Sequence, residues 1–87
     1  MIITRLVFYN PSSGSAWIGR RIAAAVQALI SVPGTEAVAT VPGAARHQAR
    51  TRLTSGITRA YAIGGDGTVG AVAGALADTN AALGLIP

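Results

Sequence analysis

Short apolar runs alternate with stretches of helical periodicity along this chain. Leu6 to Tyr9 is a compact apolar and aromatic run, and the turn-forming residues 10–14 follow it. From Ala16 to Ile30, apolar residues recur at helical spacing, while arginine and glutamine occupy the opposite face. These patterns predict a first strand and a first helix, with Ser15 as the N-cap of the helix.

The alternation continues along the rest of the chain. Residues 36–41 predict a second strand between two Pro-Gly pairs, and the composition of residues 44–54 predicts a second helix. Residues 59–63, 69–77 and 81–86 predict a third strand, a third helix and a fourth strand. This order is typical of a parallel sheet with helices on both faces. We therefore predict an α/β fold of three layers, with the sheet between two layers of helices.

Composition restricts the classes of protein. The chain of 87 residues is long enough for one small domain, and no apolar run approaches the roughly 20 residues that span a bilayer. It has no cysteine, which excludes disulfides and thiolate zinc sites, and it starts in a strand pattern rather than a secretory signal. All seven basic residues are arginine and the net charge is +4; without lysine, a Walker A loop and a protein-kinase site are excluded. The lack of cysteine and of a signal predicts a cytoplasmic setting. Because the arginines are scattered with few aromatic residues between them, we expect an ordinary solvated surface and no nucleic-acid binding.

The most informative motif is the sequence GGDGTVG at residues 64–70, between the third strand and the third helix. Glycines let the backbone turn sharply and approach a ligand, and the following helix start favours a phosphate group. Asp66 would repel a phosphate charge about 4 Å away by roughly 4 kcal/mol at an effective dielectric of about 20. A magnesium ion, or a substrate hydroxyl that donates to Asp66, would offset this repulsion. The alternative is an aspartate that only caps the N–H of Val69 or Gly70.

A loop rich in donors follows the first strand. Asn10, Ser12, Ser13 and Gly14 offer amide, hydroxyl and backbone groups. Alone, this sequence is typical of a turn. In a doubly wound sheet, however, this loop and the glycine turn lie side by side at the carboxyl ends of the strands, which predicts one shared ligand site. The match to the dinucleotide fingerprint at residues 65–70 is in the wrong place for a Rossmann fold, since that fingerprint belongs to the first βα turn.

Three other features carry weaker expectations. We expect His47 at the surface and Trp17 in a hydrophobic contact rather than stacked on a base. Gly70 and Gly74 are expected to allow close packing of the third helix on the sheet.

Together, the motifs resemble the catalytic domain of the diacylglycerol kinase and sphingosine kinase family, which includes bacterial lipid kinases. The resemblance rests on Asn10-Pro11-Ser12-Ser13-Gly14, Pro42-Gly43 with Ala45, Gly64-Gly65-Asp66-Gly67-Thr68 and Leu83-Gly84-Leu85-Ile86-Pro87. NAD kinases and, loosely, phosphofructokinases share the Gly-Gly-Asp-Gly-Thr core. The Asn-Pro-x-Ser-Gly element favours the lipid kinases.

The resemblance implies transfer of the ATP γ-phosphate to a lipid hydroxyl at a membrane surface, by a cytoplasmic enzyme associated peripherally with the membrane. In the family, the counterpart of Asp66 serves Mg²⁺ and phosphoryl transfer, and a threonine that ends the second strand contacts the nucleotide; Thr40 is the candidate. The nucleotide-binding residues implied are Asn10, Pro11, Ser12, Ser13, Gly14, Thr40, Gly64, Gly65, Asp66, Gly67 and Thr68.

The chain departs from the family pattern in two places. Gly70-Ala71 stands where the family usually has Asn-Glu, and the family's Gly-Thr-x-Asn-Asp segment and β-rich second domain would follow Pro87. We therefore expect residues 1–87 to be the truncated N-terminal part of the nucleotide-binding domain, inactive alone. An open sheet edge predicts self-association as a homo-oligomer. A fragment of an NAD kinase and a non-catalytic nucleotide-binding or packing module are the alternatives.

Overall fold

The computed structural model describes residues 2–11, 15–77, 79 and 81–86. Within them, strands and helices alternate as β1 (Arg5–Tyr9), α1 (Ala16–Ile30), β2 (Thr35–Ala39), α2 (Ala45–Arg52), β3 (Arg59–Ile63), α3 (Asp66–Leu76) and β4 (Ala82–Ile86). The strands form a parallel sheet in the order β2-β1-β3-β4. The predicted α/β fold of three layers is confirmed.

The central strand β1 is buried on both faces of the sheet. Leu6 and Phe8 face α2 and α3, where they join a core that contains Val72, whereas Val7 faces α1 and packs with Ile22. This double burial explains why β1 reads as a continuous apolar run rather than as an alternating pattern. Among the described residues, no helix is long and apolar enough to cross a membrane.

Several element boundaries differ from the prediction, and the end of the second strand differs for a reason that lies outside the strand. The second strand ends at Ala39 rather than at residue 41, because the side chain of Gln48 takes over the backbone groups there. Its Nε2 donates to the Ala39 carbonyl at 3.0 Å, and its Oε1 accepts from the Val41 N–H at 2.8 Å. The end of β2 is therefore tied to α2, which spans Ala45–Arg52 rather than residues 44–54.

The predicted role of Gly70 and Gly74 is wrong. A methyl group on Gly70 would meet no atom within 4 Å, and one on Gly74 would meet only Nη2 of Arg46 at 4.0 Å, so neither glycine lies against the sheet. The close approach occurs at Gly84 instead. A Cβ there would lie 2.6 Å from Cδ1 of Tyr61, because the aromatic ring occupies that space.

Candidate functional site

The βα junctions that follow β1 and β3 lie side by side. Tyr9 and Ile63 are register partners at the carboxyl ends of the two strands, so Asn10 and Gly64 leave the sheet together. Gly64 has φ of +144°, and a Cβ there would lie 3.3 Å from Oγ1 of Thr68 and 3.8 Å from Cβ of Asn10. Both the backbone conformation and the space therefore favour glycine at this position.

The third helix starts inside the glycine motif. It begins at Asp66 rather than at residue 69, and its N-cap is Gly65, which has no side chain to accept a hydrogen bond. The capping interpretation of Asp66 is wrong for Val69, because the Val69 N–H donates to the Gly65 carbonyl at 3.2 Å. The Asp66 side chain is exposed and makes no hydrogen bond with the described residues. The first N–H groups of α3 and the Asp66 carboxylate are thus both available to a ligand.

Thr40 lies directly after β2, beside the end of β1. Its N–H and its hydroxyl both donate to the Tyr9 carbonyl, at 2.8 and 3.0 Å. The residue is 5% exposed. Because the hydroxyl hydrogen is already used, Thr40 can serve a ligand through its hydroxyl oxygen only as an acceptor.

A cleft of about 480 Å³ lies where these elements meet, between the ends of β1 and β2 and the first turns of α2 and α3. Its volume is within the range of small-molecule sites. The lining residues are Asn10, Thr40, Val41, Pro42, Gly43, Ala45, Arg46, Asp66, Gly67, Thr68, Gly70 and Ala71. The structure therefore brings together Asn10, Thr40, Asp66, Gly67 and Thr68 from the predicted set.

The remaining predicted site residues are placed differently. Gly64 and Gly65 are not among the lining residues of the cleft and act behind it, by shaping the turn into α3. Pro11 lines another cavity, of about 400 Å³, beside α1. Ser12, Ser13 and Gly14 lie outside the residues that the structure describes.

Thr68 is the most deeply buried polar residue of the α3 wall, at 6% exposure. Its hydroxyl makes no hydrogen bond with the described part of the chain and is not one of the buried polar atoms that lack a partner. The hydroxyl oxygen therefore reaches the surface of the cleft, where it can donate to a ligand or accept from one.

Arg46 is a site residue that sequence reasoning missed. It lies in the first turn of α2, which has no acidic residue and no side-chain hydrogen bond at its N-cap, Ala44. It lines the cleft, and its guanidinium reaches α3 beside Gly74, about two turns beyond the start of that helix, where Nη2 lies 4.0 Å from the position a Cβ would occupy. One signal in the sequence could have indicated it: Arg46 is a basic residue in the first turn of a predicted helix, a position that the helix dipole disfavours.

The other candidate residues lie away from this cleft. His47 is exposed, as predicted, and Glu36 forms an ion pair with Arg52. The predicted hydrophobic contact of Trp17 is wrong, because the side chain is 58% exposed and its ring contacts the guanidinium of Arg21 at 5.0 Å.

A known family matches nearly the whole chain. The model of the diacylglycerol kinase catalytic domain matches residues 4–87. The chain belongs to this family. No curated protein sequence matches it.

Kinase domains generally use ATP and Mg²⁺, so the fit of both to this diacylglycerol kinase catalytic domain can be judged from its residues. Magnesium binds through one or two carboxylates together with substrate phosphates rather than in an all-protein cage. The described residues hold no group of three or more potential metal ligands. They do place the Asp66 carboxylate in the cleft beside the helix start suited to phosphate, and this arrangement fits a magnesium–nucleotide complex.

Proposed function

We propose that this chain is the ATP-binding portion of a lipid kinase, which transfers the γ-phosphoryl group of ATP to a hydroxyl of a diacylglycerol-like lipid. The observation that carries the proposal is one cleft in which Asn10, Thr40 and the first turn of α3 converge. These residues come from separate parts of the chain, and a parallel sheet binds its ligands at this edge.

The start of α3 is the proposed phosphate site. Its first N–H groups have no side-chain cap, the positive end of the helix dipole faces the cleft, and Gly67 adds no side chain that would hold a phosphate away. We also assign Arg46, which lines the cleft from α2, to these phosphates as a positive charge that its long side chain can turn from Gly74 toward the start of α3. Asn10 and Thr40 are left to contact the rest of the nucleotide.

Asp66 is the proposed catalytic residue. In the reaction, the lipid oxygen forms a bond to the γ-phosphorus, the bond to the β-γ bridging oxygen breaks, ADP leaves and the lipid hydroxyl loses its proton. Bound magnesium would neutralise phosphate charge as this occurs. The Asp66 carboxylate would hold that ion or accept a hydrogen bond from the lipid hydroxyl.

The proposal has consequences for location and assembly. An enzyme with a lipid acceptor must work at a membrane, so we propose a cytoplasmic protein that associates peripherally with the bilayer. Self-association through β2 or β4, the edge strands of the described sheet, stays a prediction.

Calorimetric titration of ATP into the 87-residue chain tests the proposal. We expect binding that strengthens with magnesium in the wild-type protein and loses that magnesium dependence in Asp66→Asn. Glu36→Gln is the matched control, because Glu36 pairs with Arg52 and does not line the cleft. The absence of binding by the wild-type protein, or magnesium dependence that survives in Asp66→Asn, would contradict the proposal.

A further inference from the structure

The first turns of α1 expose aromatic and basic side chains together. Trp17 is 58% exposed and Ile18 is 40% exposed, and the neighbouring Arg20 and Arg21 are exposed as well. We call these four residues the α1 patch. Trp17, Arg20 and Arg21 lie away from the side of α1 that packs on the sheet through Ile22 and Val26, whereas Ile18, one turn before Ile22, lies at the border of that side.

The α1 patch has an amphipathic character that fits an interface rather than open water. Arg21 stacks on the Trp17 ring at 5.0 Å, so its charged end covers one aromatic face while the rest of the ring stays exposed. Tryptophan and arginine side chains of this kind place their apolar parts against apolar material and keep their polar ends hydrated.

The charge of α1 points to an anionic partner. The helix carries Arg20 and Arg21 but no aspartate or glutamate, and the carboxylates of the chain are Glu36, Asp66 and Asp78. A second copy of the chain is a poor occupant, because a symmetric contact would place like charges against each other. Nucleic acid would satisfy the arginines but would leave Ile18 without an apolar environment.

We propose that the α1 patch docks on the surface of a bilayer that contains anionic lipids. Trp17 and Ile18 enter the boundary between headgroups and acyl chains, and Arg20 and Arg21 contact lipid phosphates. Tryptophan is enriched at this depth of a membrane because its ring is amphipathic.

The position of the patch adds to the argument. α1 follows the carboxyl end of β1, the same edge of the sheet on which the cleft opens. Asn10 lines both the cleft and the cavity that Arg20 helps to form. Docking through this edge would therefore bring the cleft side of the domain to the lipid. The patch itself is inferred from exposure and charge, so it does not depend on nucleotide binding in the cleft.

The single tryptophan of the chain makes the test direct, because Trp17 is then the only source of tryptophan fluorescence. Vesicles of phosphatidylcholine with phosphatidylglycerol should shift its emission to the blue, and brominated lipids should quench it. Vesicles of phosphatidylcholine alone should do neither. An unshifted spectrum with anionic vesicles, or equal shifts with both vesicle types, would overturn the proposal.

Co-sedimentation with the same vesicles identifies the residues. Arg20→Gln/Arg21→Gln should weaken binding by about fivefold for each arginine, since each basic residue near an anionic surface contributes about that factor. Arg50→Gln/Arg59→Gln is the matched control: it removes the same charge from exposed positions on α2 and β3 and should bind nearly as well as wild type. Equal losses in the two double variants would mean a net-charge effect and would refute the patch.

Trp17→Ala should also lose vesicle binding, whereas Ile2→Ala, an exposed apolar residue outside α1, should keep it. Circular dichroism and ATP titration on each variant separate the outcomes. Vesicle binding without ATP binding would remove the proposed function and leave this inference standing. ATP binding without vesicle binding would refute this inference and leave the proposed function standing. Tighter binding to an RNA or DNA oligonucleotide than to anionic vesicles would refute the membrane proposal and indicate nucleic acid as the partner of the patch.

Discussion

The starts of α1 and α3 follow neighbouring strands at the same edge of the sheet, yet they are built differently. Ser15 caps α1, where its hydroxyl oxygen accepts from the Ile18 N–H at 3.4 Å. Gly65 caps α3 and offers no side-chain acceptor. The serine cap satisfies one N–H of α1 within the fold, whereas the start of α3 keeps its corresponding N–H groups for a ligand.

The uncapped start is stabilised by other means. Asp66 at the first position of α3 interacts favourably with the helix dipole, and Thr68 in the same turn and Val72 in the next are buried. Capping by serine contributes about 1 kcal/mol to a typical helix. The comparison therefore suggests that α3 gives up a modest stabilisation at the place where the proposed phosphate binds.

The largest expected effect is on stability, at the turn into α3. Gly64→Ala should lower the free energy of unfolding by about 1–3 kcal/mol, because alanine resists the positive φ and its methyl group would crowd Thr68. Gly70→Ala is the matched control within the same motif. It should raise stability by about 0.5–1 kcal/mol, since its methyl group meets no atom within 4 Å and alanine favours helix. Urea denaturation of both variants measures this, and a loss of similar size in each would show that Gly64 has no special role.

Adding a cap to α3 should separate fold from function. Gly65→Ser fits the extended backbone of the N-cap and should raise stability by a few tenths of a kcal/mol. Because the new hydroxyl takes an N–H that the phosphate would use, ATP affinity should fall about tenfold, the value of one hydrogen bond to a charged group. Ser15→Ala should do the opposite at α1, lowering stability by about 0.5–1 kcal/mol with ATP affinity unchanged. Tighter ATP binding by Gly65→Ser would reject the assigned role of this helix start.

The smallest expected effect concerns Arg46. Arg46→Gln should weaken ATP binding about fivefold, and its stability should rise by a few tenths of a kcal/mol because a positive charge leaves the N-terminal turn of α2. Adenosine binding should not change, since the lost partner is a phosphate. Arg50→Gln, one turn further along α2, should leave ATP binding at the wild-type level. If adenosine affinity falls as much as ATP affinity, Arg46 contacts the base and not the phosphates.

The fold was largely predictable because its signals are local. The apolar run predicts β1 from its own residues. The periodicity predicts α1, and the serine at position 15 marks where that helix starts. The motifs also predicted the family, which is confirmed. The start of α3 was misplaced because Asp66, Gly67 and Thr68 have low helix propensity, and the burial of Thr68 and the dipole interaction of Asp66 override it.

Features that depend on other elements were missed. The end of β2 is set by Gln48, which belongs to α2. Arg46 could not be assigned to a site before α2 and α3 were known to line the same cleft. Trp17 was expected to be covered because it is apolar, but it lies five residues before Ile22, about 140° around the helix from the buried side.

Backbone amide NMR shifts on addition of magnesium and ATP test the central claim most directly. The account predicts the largest shifts at the first turn of α3, residues 65–68, with smaller ones at residues 40–46 across the cleft. The start of α1 at residues 15–19 should change little, because Ser15 already accepts from the Ile18 N–H there. Shifts concentrated at the start of α1, or the absence of shifts at residues 65–68, would contradict the account.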